Sequence, residues 1–458
     1  MTALERIAHW VHSSDIERLP DAGFATARLA FLDTLAVTLI GSRRDAPRIV
    51  ASLEPLDSPQ AAASLVGMRS RTSVARAALI NGTAAHADLF DDNSAPMIAH
   101  PSASLVSALL PLAQSLGANG QDLLLAYCVG FEVGVGLGRA LNPALYEQGW
   151  HVTRVLGVLG TTAACCRLAR VNVAQTVHAL GVATSAAGGL RQHFGTMTMA
   201  LHAGWTARDA IEAMQLAARG FDADPAGLDG RYGLARVFAQ SELALPELGE
   251  SFELVDSGII FKPYPCGAPT HAAIDAALTL RADQRIDPER IEAIVCHVHP
   301  WNAMTLREEL PTTANQARVN LRFCVAAALH FGRVTPDEFS TEALRDPLVH
   351  RLMRCTDISI DASLPDNGEF PAAVTLQLRD GGTLTERRDV PPGGTGRRLD
   401  AARIESKFRQ CAAGVLTGPT CEQAIAALTR LDALAAVEVD GLARMVEGDG
   451  PLAVAPAI

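Results

Sequence analysis

The chain has 458 residues, 48% of them hydrophobic, and a formal net charge of −11. Its length exceeds what one ordinary core needs and points to two domains, or one domain with a large insertion. The acidic balance, without a Lys/Arg-rich stripe or interleaved surface aromatics, argues against nucleic acid as a partner, and no uninterrupted apolar run reaches the ~18 residues expected of a membrane span.

The N-terminal MTALERIAHWVHSSDIERLP reads as an amphipathic helix of mixed charge. It lacks the basic start, long apolar centre and small-residue cleavage site of a signal peptide, so a cytoplasmic protein is expected. Nine cysteines at irregular positions fit buried thiols better than a disulfide framework. From Ala25 to about Gln240, Ala/Leu-rich segments with apolar residues three and four apart predict successive helices. Several are apolar nearly all round and belong inside a helical assembly or at a subunit interface.

Within this region, HADLFDDNSAPMIAHPSASL places Asp88, Asp91, Asp92 and Asn93 at a helix end and His100-Pro101-Ser102 at the start of the next helix. Pro in a first turn with Ser beside it is a helix-start signature. A His there stands where the backbone disfavours its protonation and where free N–H groups attract anions. The plain alternative is that the aspartates cap the chain and His100 closes a turn. His151 follows a Gly-Trp turn at another predicted helix start, and Thr198, Met199 and His202 follow the small-residue turn at Gly195. Three helix starts lined with His, Thr and Ser would make a cradle for carboxylates. In FKPYPCGAPTH, two prolines stiffen a turn around Tyr264, and Lys262 is the cation most suited to face a substrate. The same turn reads equally well as a hinge between domains.

After this turn the texture changes. IEAIVCHVHP alternates like a strand, and AAVTLQLRDGGTLTERRDV contains two strand-like runs joined by Gly381-Gly382, a hairpin signal. RVNLRFCVAAALHFG and TEALRDPLVHRLMRC between them are helical, and AARIESKFRQCAAGVL and CEQAIAALTRLDAL return to helix. The expected class is therefore mostly α: a large all-helical domain (1–265, completed by 399–458) with a smaller α+β lid domain (266–398). GVGLG at Gly134–Gly138 lacks the third glycine of a dinucleotide loop and falls within a predicted helix, so small-residue helix packing explains it better. His297 and His299 of CHVHP have no matching Cys/His pair at zinc-ligand spacing, and no metal is expected.

The ordered set LDTLAVTLIGS, ALINGTAAHADLFDDN with HPSAS, GWHVTRVLGVLG, FGTMT with LHAGWTARDA, FKPYPCGAPTHAAID, ARVNLRFCVAAAL and IESKF resembles the MmgE/PrpD family over nearly the whole chain. The resemblance implies a homodimer without metal or organic cofactor, and an active site in the cleft between domains. It also implies proton transfer at carbon beside a carboxylate of a small acid substrate: water elimination, decarboxylation or epimerisation. His100, His151, Asp91, Asp92 and Lys262 match the family's motif positions, with the two histidines as proton-transfer candidates and the aspartates orienting them.

Several positions depart from that pattern. Leu89 stands where the family has the leading Asp of D-F-D-D-T, and Asp88 is a poor substitute because one residue turns a helical side chain by about 100°. Asn93 replaces a Thr, Met199 a Lys and Phe323 a Tyr, which implies a more apolar pocket. The resemblance implies a His in the K-P-Y-P turn of the decarboxylase branch where Gly267 stands here, which disfavours decarboxylation of cis-aconitate. The leading expectation is a dehydratase-type lyase acting on an acid less charged or more apolar than 2-methylcitrate. An epimerase or isomerase, and a degenerate member kept for a structural role, are the alternatives.

Overall fold

The computed structural model describes residues 1–449 apart from 16–18, 58–60, 257 and 367. Helix accounts for 56% of the chain and strand for 9%, so the class is mostly α with one small sheet. The first helix, Ala3–Ser13, opens on a capping box in which Thr2 and Glu5 satisfy each other's backbone N–H groups. Helices Asp21–Gly41, Pro101–Leu116, Gly120–Leu141, Gly157–Ala169, Val173–Ala186 and Met197–Ala218 pack around one apolar core. The C-terminal helix Ala401–Ala412 returns to that core through Ile404, Phe408 and Cys411.

The expectation that no segment is long and apolar enough to span a membrane needs correction. Asp21–Gly41, Gly120–Leu141 and Val152–Ala169 each have that length and hydropathy, the first 72% and the other two 89% buried inside the protein over their most apolar windows. Ala and Gly keep the runs from looking continuous, yet the average suffices. These helices are apolar on all faces because other helices cover all faces.

Glycine sets how closely they approach. A Cβ on Gly130 would lie 2.7 Å from the carbonyl oxygen of Gly160, and one on Gly138 2.6 Å from the Cα of Met97. The GVGLG run is thus a packing face, and Gly138 lets the loop carrying Pro96 and Ile98 lie directly on its helix. A Cβ on Gly82 would lie 2.8 Å from the Cα of Gly204, a contact that draws Val74–Ala85 against Met197–Ala218.

A second apolar core gathers His271–Gln284, Leu321–Phe331 and a four-stranded sheet. The strand order is Thr356–Ile360, Ile291–Val298, Ala372–Leu378, Thr383–Arg388. The first pair is parallel and the other two antiparallel, and Gly381 turns the final hairpin at φ 87°. Sequence reading missed Thr356–Ile360, a short edge strand that begins one residue after Cys355 caps the preceding helix. TEALRDPLVHRLMRC is two helices, broken at Asp346, whose carboxylate caps the N–H groups of Leu348 and Val349 at 2.8 and 3.0 Å. A cavity of about 390 Å³ opens where elements of the two cores meet.

Candidate active site

Helix Val74–Ala85 stops at His86, and the chain then crosses a buried loop to His100, the N-cap of Pro101–Leu116. Leu89 and Ile98 adopt φ 50°, a left-handed conformation that branched side chains keep only when their surroundings hold it. The surroundings do so. Asn93 and Ile260 exchange backbone hydrogen bonds at 2.8 Å in both directions. The Lys407 ammonium, from the C-terminal helix, donates to the carbonyls of Phe90 at 2.7 Å and Lys262 at 3.1 Å and pairs with buried Asp33 at 2.7 Å.

Asp91 is the fully buried centre of charge. His86 Nδ1 lies 2.7 Å from its Oδ2, His100 Nδ1 3.9 Å from the same atom, and Lys262 Nζ 3.7 Å from Oδ1. Burial alone would raise the Asp91 pKa, but His86, His100 and Lys262 outweigh it and hold the carboxyl well below its ordinary value. Neighbouring Asp92 goes the other way, pushed up to about 8 by burial and by the charge on Asp91, against the opposing hydrogen bonds of Ser102. Ser102 Oγ donates to Asp92 at 2.6 Å and lies 2.7 Å from the Tyr127 hydroxyl. Two adjacent carboxyls thus carry one negative charge at neutral pH.

Burial disfavours the charged form of His100, His151 and His202. Burial, then the Lys262 charge, brings His100 down to about 3, against the pull of Asp91. Its Nδ1 stands 2.6 Å from the carbonyl oxygen of Asp92. A carbonyl only accepts, so Nδ1 carries the proton and Nε2 keeps its lone pair. His151, the N-cap of Val152–Val155, is lowered well below its ordinary value by burial and the neighbouring His86. Its Nδ1 lies 2.8 Å from His202 Nδ1, so one ring donates and the other accepts, leaving Nε2 of His151 for a substrate. Burial and Arg154 bring His202 down to about 3. The Lys262 ammonium is also destabilised by burial, partly offset by Asp91.

Of the residues singled out from sequence, His100, His151, Asn93, Met199 and Lys262 line the cavity. Asp91 and Asp92 lie behind them. His202 backs His151 from the second turn of Met197–Ala218. Thr198 is half-buried and outside the lining. Tyr264 and Phe323 also lie outside it: Tyr264 packs edge-on against His271, and Phe323 is fully buried in the second core. The exchange of Tyr for Phe implied at 323 therefore does not change the cavity wall. Asp88 does not substitute for an acid at 89, because it turns away to pair with Arg44 at 2.8 Å and with Arg318. Leu89, Met199 and Val319, with Phe194 against them, form an apolar wall.

Sequence reasoning missed His86, whose ring centroid lies 4.9 Å from that of His100 and 5.7 Å from that of His151, and also Tyr127, Asp33 and Lys407. One signal was available for Lys407. The chain has 39 Lys and Arg residues, of which only Lys262 and Lys407 are lysines, and both are buried here. His299, set aside as a strand histidine, caps Pro300–Thr305 and lines the cavity.

Comparison with known proteins identifies the family. The MmgE/PrpD N-terminal domain matches residues 5–245 and the MmgE/PrpD C-terminal domain residues 264–433. The chain is 28% identical to cis-aconitate decarboxylase from Homo sapiens, covering 98% of this chain and 96% of that protein. It is 28% identical to the Mus musculus protein of the same name, over 97% and 93%, and 24% identical to cis-aconitate decarboxylase from Aspergillus terreus, over 89% of each. With both domain descriptions matched in order along its length, the chain belongs to the MmgE/PrpD family.

Proposed function

We propose that the protein is a dehydratase-type lyase acting on a small carboxylic acid that carries an apolar arm. The observation that carries the reading is the neutral His100, fixed with its proton on Nδ1, beside Asp91 and Lys262 in a cavity that the apolar wall also lines. Lys262 would hold the carboxylate of the substrate. Nε2 of His100 would take the proton from the adjacent carbon, the electron pair would form the carbon–carbon double bond, and the hydroxyl would leave as water on receiving that proton from the His100 imidazolium, with Nε2 of His151 hydrogen-bonded to the departing oxygen. The ionised Asp91 would stabilise the resulting His100 imidazolium, and Lys262 the enolate-like charge. Family membership supports a homodimer that works without metal or organic cofactor, and a cytoplasmic location belongs to the same proposal.

A second reading is decarboxylation, favoured by the activity for which the relatives are named. The cavity differs from that expectation at Leu89, Met199 and Gly267, all of which line it. The test is a panel of mono-, di- and tricarboxylates incubated in D₂O and followed by NMR, with His100→Ala and His151→Ala as controls. Exchange at carbon with water loss, absent in both variants, supports the dehydratase. Release of carbon dioxide supports the second reading, and exchange with inversion alone supports an isomerase. Turnover that survives His100→Ala refutes the assignment of that base.

A further inference from the structure

Beyond Leu89 and Met199 lies a second cavity, of about 410 Å³. Among the described residues these two alone line both cavities, and both are positions where the sequence departs from the MmgE/PrpD motif. Each exchanges a charged side chain for an unbranched or singly branched apolar one. The partition is held by packing within its own small apolar cluster. Met has three rotatable bonds and adapts readily to new neighbours, so such a wall can swing aside.

The second cavity has a different chemistry from the first. Its lining carries Arg43, Arg44 and Arg318, with Asp45 as the only carboxylate among the lining residues. Arg44 and Arg318 converge on Asp88, which stands behind them. Three guanidinium groups against two carboxylates leave an excess of positive charge, and Arg43, exposed, makes no ion pair among the described residues. His86 also lines this cavity. Its Nδ1 is taken by Asp91, while Nε2 is buried with no hydrogen-bond partner among the described residues. An orphaned buried nitrogen is costly unless a ligand or water serves it.

We propose that the two cavities form one elongated site, and that the substrate bears a second anionic group separated from its reacting carboxylate by an apolar stretch. The proposal rests on the reading of His100 and Lys262 as the reactive end. The apolar stretch replaces Leu89 and Met199 in contact with Val319 and Phe194, and the far anion lodges among Arg43, Arg44 and the free edge of His86. Citrate-like acids crowd their carboxylates on neighbouring carbons, where an acidic and a basic residue at 89 and 199 would meet them. Here the polar ends stand apart, and apolar side chains occupy the interval.

Binding can be tested on the whole protein with saturated α,ω-dicarboxylates of three to nine carbons and the monocarboxylates of matching length, by titration calorimetry. One dicarboxylate length should bind at least about tenfold more tightly than its monocarboxylate, the margin expected of one charge-assisted contact. Arg43→Ala, an exposed change that spares the fold, should remove that advantage and leave monocarboxylate affinity unchanged. Met199→Trp, which blocks the passage, should also remove that advantage, whatever it does to monocarboxylate affinity. Monocarboxylates that bind while dicarboxylates of every length gain nothing, or an advantage that survives Arg43→Ala, overturn the elongated site alone. If Lys262→Met fails to weaken either series, or if no acid of either series binds, the reactive end has been misread and the elongated site falls with it.

Discussion

Replacing Lys407 with Met isolates the contribution of the buried cation beneath the site. The ammonium pairs with Asp33 at 2.7 Å, donates to the carbonyls of Phe90 and Lys262, and lies 3.8 Å from the centroid of the Phe90 ring. Met fills similar volume but leaves a buried carboxyl and two carbonyls without their donor. Breaking a buried pair from one side costs about 3–5 kcal/mol. Burial already raises the Asp33 pKa, opposed chiefly by Lys407, so loss of the lysine lets Asp33 take up a proton and holds the cost to the lower part of that range. The assay is denaturant unfolding at pH 7, followed by circular dichroism, for Lys407→Met, Asp33→Leu and the double variant. The double variant should be milder than Lys407→Met alone, because no stranded charge remains. Lowering the pH toward 5 should narrow the gap between Lys407→Met and the parent as Asp33 protonates. A single variant that loses less than about 1 kcal/mol, the size of an exposed pair, or a double variant worse than both singles, would refute the account.

Asp92 governs a window of pH dependence. An acid whose folded-state pKa is raised, here to about 8, contributes stability that is full below its unfolded value and lost as pH rises to the folded one. The parent should therefore lose stability from about pH 4, where the unfolded carboxyl ionises, to about pH 8, at up to about 1.4 kcal/mol per pH unit, more steeply than Asp92→Asn; parallel profiles of melting temperature would count against it. Gly130→Ala should cost about 1–3 kcal/mol by overpacking, since its Cβ would meet the Gly160 carbonyl at 2.7 Å. Gly267→Ala, at φ −61° with nothing nearer than 3.6 Å, should be neutral or stabilising by up to about 1 kcal/mol, and equal unfolding midpoints for the two alanine variants would contradict the close-approach reading. His202→Phe removes the ring that fixes the orientation of His151 and should lower solvent exchange into bound substrate about a hundredfold or more while leaving acid binding intact. Loss of binding in step with exchange would show that His202 only supports the fold.

Periodicity and glycine placement were enough to recover the helical class, the Gly381-Gly382 hairpin and the packing role of GVGLG, because each rests on neighbours in the chain. The histidines at 100 and 151 were legible as helix caps for the same reason. What joins them was not. Asp33, His86, Tyr127 and Lys407 come from four separate helices or helix ends, and no local pattern records that a lysine near residue 400 lies under a loop near residue 90. Phe323 and Tyr264 show the converse, since matching a motif position did not place them in the cavity wall. The conformation of Leu89 was also invisible. Its positive φ is imposed by the loop's distant anchors, and a branched residue gives no warning of it.

Both lysines of the chain are interior, so the folded surface carries its side-chain positive charge on guanidinium and imidazole groups. Lys262 lines the cavity, where a small reagent can follow the substrate in, but Lys407 is held beneath the loop by Asp33 and the carbonyls of Phe90 and Lys262. Acylating reagents reach it only when the region around Asp91 comes apart. Amine labelling at Lys407 thereby becomes a built-in gauge of local opening, readable by mass spectrometry.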